Sequence, residues 1–222
     1  MRSLLILFFM VGLTLGGTLE ARAEQKPGLA ILPFLVERTE DPSRGAVCPI
    51  CQGISRKGPV PPGAQNILTR LLYQKMEPLG TFRVIPFEKV EEALSDLGAG
   101  RLESKPIPSS IQVGKNLEAD FAFVGYLYRF EERIGSPLGA EKPASVGYHL
   151  HLFRLRDGKE VWQSKFDETQ QPLSENLLQL SSFLRRKANW LTAQELASVG
   201  MDEALAKFPG PKELEEQTGI AR

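Results

Sequence analysis

Two stretches of this 222-residue chain are apolar in unbroken runs, and together they restrict the fold more than any other feature. Residues 29–36 (LAILPFLV) lie between Pro27-Gly28 and a charged segment that begins at Glu37, and residues 119–124 (ADFAFV) are uninterrupted after Asp120. A strand with one wet face alternates apolar and polar side chains, whereas runs of this kind belong to strands covered on both faces. The segments between them have the periodicity of helices that can supply the cover. Ile67, Leu68, Leu71, Leu72 and Met76 recur at helical spacing behind Pro61-Pro62-Gly63, and Pro78 with Gly80 ends the pattern. Residues 82–86 (FRVIP) form a short strand, and Phe87, Val90, Leu94 and Leu97 make the apolar face of a second helix.

Ser109, with Gln112 three residues on, has the pattern of a capping box and predicts a short helix to about Leu117. Beyond Gly125 the alternation of Tyr126, Tyr128 and Phe130 with Leu127, Arg129 and Glu131 predicts a strand emerging from cover. Residues 146–155 and 159–166 flank Asp157-Gly158, a strong hairpin signal. A two-residue loop there places Phe153 opposite Trp162, His151 opposite Ser164 and His149 opposite Phe166. Thr192 and Glu195 make a second capping box, with Leu191 set to pack on Leu196, and Pro209-Gly210 closes that helix. The expected fold is therefore α/β, of the mixed α+β kind. It is a single three-layer-like domain over residues 24–209, with a mixed β-sheet of about five strands, flanking helices and a C-terminal helix. Residues 210–222 read as a polar, mobile tail.

The amino terminus reads as a cleavable secretory signal over residues 1–23. Arg2 precedes a dozen mostly apolar residues (4–15), too few for a bilayer span, and Ala21-Arg22-Ala23 offers a cleavage site before Glu24. With no cysteine near the cut, the mature chain is expected to be periplasmic or secreted, without a lipid anchor or transmembrane segment. Loss of residues 1–23 leaves 25 basic and 26 acidic residues, a balance that argues against nucleic acid as a partner.

The order of elements resembles the α/β domain shared by the amino-terminal part of TolB and by CsgG-type and LpoB-type envelope proteins. The resemblance is carried by LAILPF at 29–34, ILTRLLYQKMEPLGTFRVI at 67–85 and LEADFAFVGYLYRF at 117–130, and with the hairpin it covers residues 29–166. It implies a non-catalytic envelope domain that docks to another envelope or outer-membrane protein or assembles into an oligomer, with no catalytic residues and no cofactor to carry over.

Residues 37–63 are polar, rich in Gly and Pro, and read as a long excursion loop with Cys48-Pro49-Ile50-Cys51 in its middle. Three chemistries fit this pair. A structural disulfide between Cys48 and Cys51 suits an oxidising compartment. A thiol-disulfide redox pair would need a cysteine at a helix N-terminus, and the prolines and glycines that follow allow no helix there. Zinc could be held by Cys48 and Cys51 with His149 and His151, which lie two apart on one strand face and are the chain's only histidines. Glu91-Glu92 and Glu131-Glu132 read as solvated charge, Ser109-Ser110 as capping, and Arg185-Arg186-Lys187 as a basic turn after apolar residues 177–184. No phosphate-binding glycine motif or HExxH occurs.

Overall fold

The computed structural model describes residues 25–37, 45–171 and 189–219. The expected signal segment, the apolar run at 177–184 and the basic turn at 185–187 lie outside them. Among the described residues no helix is long and apolar enough to cross a membrane.

The chain forms ten strands and six α-helices among these residues. The strands are β1 (Gly28–Ile31), β2 (Leu35–Val36), β3 (Ala46–Val47), β4 (Ile54–Ser55), β5 (Arg83–Val84), β6 (Phe121–Glu131), β7 (Ile134–Ser136), β8 (Gly139–Lys142), β9 (Ser145–Arg154) and β10 (Lys159–Thr169). The helices are α1 (Ala64–Met76), α2 (Phe87–Leu97), α3 (Arg101–Ser104), α4 (Pro106–Asn116), α5 (Ala193–Leu205) and α6 (Pro211–Glu216). The principal sheet runs β10-β9-β6-β1-β5, with β2 also paired to β6. β1, β2 and β5 are parallel to their neighbours, while β9 and β10 add antiparallel pairs, so the sheet is mixed as expected.

Both faces of the sheet are covered. On one, Leu29, Ile31, Phe121, Phe123, Leu150 and Leu152 pack against α1, α5 and α6. On the other, Ala30, Ala122, Val124 and Phe153 meet α2 and α4, together with Cys48 and Ile50 from the CPIC segment. Period-two alternation along β9 sends Tyr148, Leu150 and Leu152 to the first face and leaves His149, His151 and Phe153 for the second.

Several local expectations need correction. The run at 29–36 is interrupted at Pro33: β1 is central, and the chain leaves its pairing at residues 32–34 before resuming as β2, which pairs only with β6, beside Tyr126 and Leu127. Pro33 has no N–H to donate, and the N–H of Phe34 turns instead to the Thr69 hydroxyl. β6 does not emerge from cover after Gly125: it stays buried through Phe130, paired with β9 on one side and met on the other by the chain returning from the CPIC segment. Ser109 is no N-cap: α4 starts at Pro106, which needs no N–H partner, and the Ser109 hydroxyl donates to the Arg101 carbonyl. The β9–β10 connection is also longer than two residues. Arg154 pairs with Lys159, and a register shift between Glu160 and Trp162 brings Gln163 opposite His151 and Lys165 opposite His149. Residues 211–216 are not a loose tail but helix α6, seated by the fully buried Leu214. The capping box at Thr192 and Glu195 forms as read, with both reciprocal hydrogen bonds present.

Candidate metal centre

The CPIC segment folds into a tight hairpin laid on the second face of the sheet. Ala46 pairs with Ser55 and Val47 with Ile54. Between them the Cys48 N–H donates to the Gly53 carbonyl and the Gln52 N–H to the Cys48 carbonyl. Gln52 takes a left-handed conformation, φ 60°, which lets the chain reverse within so few residues. Gly53 is needed for space: a Cβ there would lie 3.1 Å from His149 Cε1 and 3.2 Å from Cys51 Sγ.

The hairpin is pinned at its exit as well. The Arg56 N–H donates to Asp167, the Gly58 N–H to the Tyr128 carbonyl, and the Phe130 N–H to the Pro59 carbonyl. Arg129 is buried and binds the Arg56 carbonyl, the Ser145 hydroxyl and the Asp167 carboxylate together. Lys165 donates to the Ile54 carbonyl. The excursion loop expected over residues 37–63 is thus, from Gly45 onward, a folded part of the domain.

This placement brings Cys48, Cys51, His149 and His151 together, with one ligand atom from each all within 4.8 Å of one another. Cys48 Sγ lies 3.3 Å from His151 Nε2, and Cys51 Sγ lies 3.4 Å from His149 Nδ1. The far nitrogen of each ring is also engaged: His151 Nδ1 is 2.6 Å from Glu160 Oε1, and His149 Nε2 is 2.9 Å from Ser55 Oγ. Cys48, both histidines, Ser55 and Glu160 are buried, and Cys51 is half-buried. The expected disulfide does not join the cysteines here, both of which are free.

The electrostatics favour a charged cluster. Burial disfavours the Cys48 thiolate, but hydrogen bonds from His149 and His151 and the charge on His151 outweigh it and lower the thiol to about 4. Burial raises the Cys51 thiol, opposed by the Gly53 N–H and reinforced by the charge on Cys48. Burial also works against the His151 cation, yet Cys48 and Glu160 together raise its pKa. The Tyr128 hydroxyl is buried beside this cluster without a hydrogen bond of ordinary geometry, and burial with the neighbouring Cys48 charge raises its pKa.

Sequence reasoning named the four clustered residues but missed Glu160 and Ser55. Ser55 is four residues past Cys51, and a hairpin reading of CPIC would have placed it beside the cysteines. Glu160 carried no signal, because a two-residue turn at Asp157-Gly158 sets it opposite Leu155, whereas it pairs with Phe153 and reaches His151. The acidic pairs and Ser109-Ser110 take no part in the cluster.

The sequence matches no protein-family model and no curated protein. Among solved structures it is similar to the LpoB C-terminal domain from Salmonella enterica, at 12% identity over 66% of this chain and 84% of that one, TM-score 0.40. It is also similar to lipoprotein GNA1162 from Neisseria meningitidis, at 15% identity over 73% and 98% of the two chains, TM-score 0.43. The PelC dodecamer from Paraburkholderia phytofirmans is a third, at 10% identity over 87% and 90%, TM-score 0.43.

Proposed function

We propose that the mature chain is an exported, non-catalytic binding or assembly module of the cell envelope, docking to another envelope or outer-membrane protein through two short hairpins, β3–β4 and β7–β8. The observation that carries this reading is the position of the exposed apolar side chains. Of five large hydrophobics exposed among the described residues, Val47 (47%), Ile54 (65%), Ile134 (54%) and Leu138 (89%) all sit on these hairpins. Val47 and Ile54 are cross-strand partners, and Leu138 is at the β7–β8 turn. Exposed apolar side chains concentrated on a few elements are a common mark of a surface that meets another protein. The Asp157-Gly158 hairpin has less to offer, since its strands are part of the principal sheet.

A thiol-disulfide oxidoreductase has thinner support. Cys48 is fully buried in a hairpin turn and belongs to no helix N-terminus, so it is not presented as an accessible thiolate. The metal alternative rests on its own geometry and is compatible with docking.

Photo-crosslinking in cells from positions 54 and 138 tests the docking surface. A discrete adduct from each position that disappears when Val47→Asp and Ile134→Asp are combined in the same chain, with the domain still folded, is the expected result. No adduct from either position, or an adduct indifferent to both charges, overturns it.

A further inference from the structure

The four converging side chains look beyond docking to a second property, one that does not depend on it. We infer that Cys48, Cys51, His149 and His151 bind one zinc ion in a closed tetrahedral site that clamps the β3–β4 hairpin to the sheet, with Glu160 and Ser55 as positioning residues.

The distances fit the ion. Zn–S bonds of about 2.3 Å and Zn–N bonds of about 2.0–2.1 Å, meeting at tetrahedral angles, separate a sulfur from a nitrogen by about 3.5 Å. The two Cys–His separations are 3.3 and 3.4 Å, and all four atoms lie within 4.8 Å of one another, so an ion among them draws the widest pair together by about 1 Å. A set of two sulfurs and two nitrogens is the tetrahedral donor set that favours zinc over hard cations such as magnesium or calcium.

The surrounding groups fix which ring nitrogens face the ion. Glu160 accepts from His151 Nδ1–H, leaving Nε2 as the donor beside Cys48. Ser55 can accept from His149 Nε2–H, leaving Nδ1 as the donor beside Cys51. An outer acceptor on each ligating imidazole is the usual arrangement in zinc sites, where it sets the tautomer and the ring orientation. Elsewhere in this fold the buried Arg129, paired with the half-buried Asp167, is satisfied by protein atoms alone. Here two cysteine sulfurs face two imidazoles whose other nitrogens are already engaged, so one ion can take the place of both sulfur–nitrogen contacts at once.

The role follows from the topology. The cysteines belong to the β3–β4 turn and the histidines to β9, about a hundred positions further along the chain, so the ion bridges an added hairpin to the central sheet. With all four positions taken by protein, no coordination site is left for a substrate, and the ion is structural.

The test uses the exported full chain, purified from its own compartment without metal-affinity resin. Elemental analysis is expected to give about one zinc per chain, with two thiols that a disulfide reagent modifies only after a chelator is added. Cobalt(II) exchanged into the site should show the visible bands of a tetrahedral ion and a thiolate charge-transfer band. Glu160→Gln keeps all four ligands and should weaken zinc by about 10–100-fold in chelator competition; this variant, with His149→Gln, keeps the test open if Cys48→Ser does not fold. Full-strength binding by Glu160→Gln would remove its positioning role. No bound metal with two freely reactive thiols, no thiols at all because a Cys48–Cys51 disulfide has formed, or an octahedral cobalt spectrum would each overturn the site.

Discussion

Arg129 and Asp167 illustrate how single residues hold the CPIC hairpin in place. The Arg129 guanidinium is buried among fixed acceptors, and Asp167 joins it to the Arg56 backbone. Burial disfavours the Asp167 carboxylate, but the hydrogen bonds from Arg129 and the Arg56 N–H, with both positive charges, hold its pKa below the ordinary value. A folded-state pKa below the unfolded value of about 3.9 stabilises the fold above that pH, and the contribution is lost as pH falls through the folded value. Asp167→Asn should therefore be clearly less stable than the natural chain at pH 7, and the gap should narrow below about pH 4. Urea midpoints at pH 7, 5 and 3 measure this, and a gap independent of pH would show that the charge on Asp167 does not contribute. These roles could not be seen from residue type: Arg129 read as the polar side of an emerging strand, because nothing local announced that residues 56–59 return to cover it.

The elements whose signals are local were read well, and those that depend on distant partners were not. The α5 capping box needs only residues within one turn, and Thr192 and Glu195 make it as expected. Thr192→Ala should cost about 1 kcal/mol, measurable as a lower urea midpoint; no change would mean that this helix end is held by its packing alone. α4 shows the reverse. Ser109 and Gln112 fit a cap, but Pro106 three residues earlier is better suited to the first turn, and α3 occupies the space before it. The β9–β10 ribbon was recognised as an element while its register was misread. Asp-Gly favours a tight turn, yet Leu155 is buried and its N–H donates to the Asp120 carbonyl, so tertiary contacts extend the loop. A change of one or two residues in register is enough to choose which side chains meet. Here it brings Glu160 to His151.

On the scale of the whole molecule, residues 211–217 pack onto the sheet. Leu214 is fully buried in the first core, and the buried Arg154 donates to the carbonyls of Leu214, Glu215 and Gln217 at the end of α6. Leu214→Ala should destabilise the chain by about 2–5 kcal/mol. Thermal unfolding reads this directly, and a variant as stable as the parent would show that α6 is not part of the cooperative unit. Two continuous apolar runs separated by amphipathic helices were enough to imply a mixed sheet covered on both faces, because burial on both sides removes the need for alternation and leaves its mark in composition. The same sequence also contained every ligand of the candidate zinc site, two cysteines in one motif and two histidines two apart. Their meeting was not encoded locally. It depends on residues 45–60 folding back across β6 and β9 and on the register of β10, both of which are set by long-range backbone pairing and by Arg129. Spacing within a segment fixes which way side chains point, whereas approach between segments a hundred residues apart is settled only when the packed chain satisfies its buried hydrogen bonds.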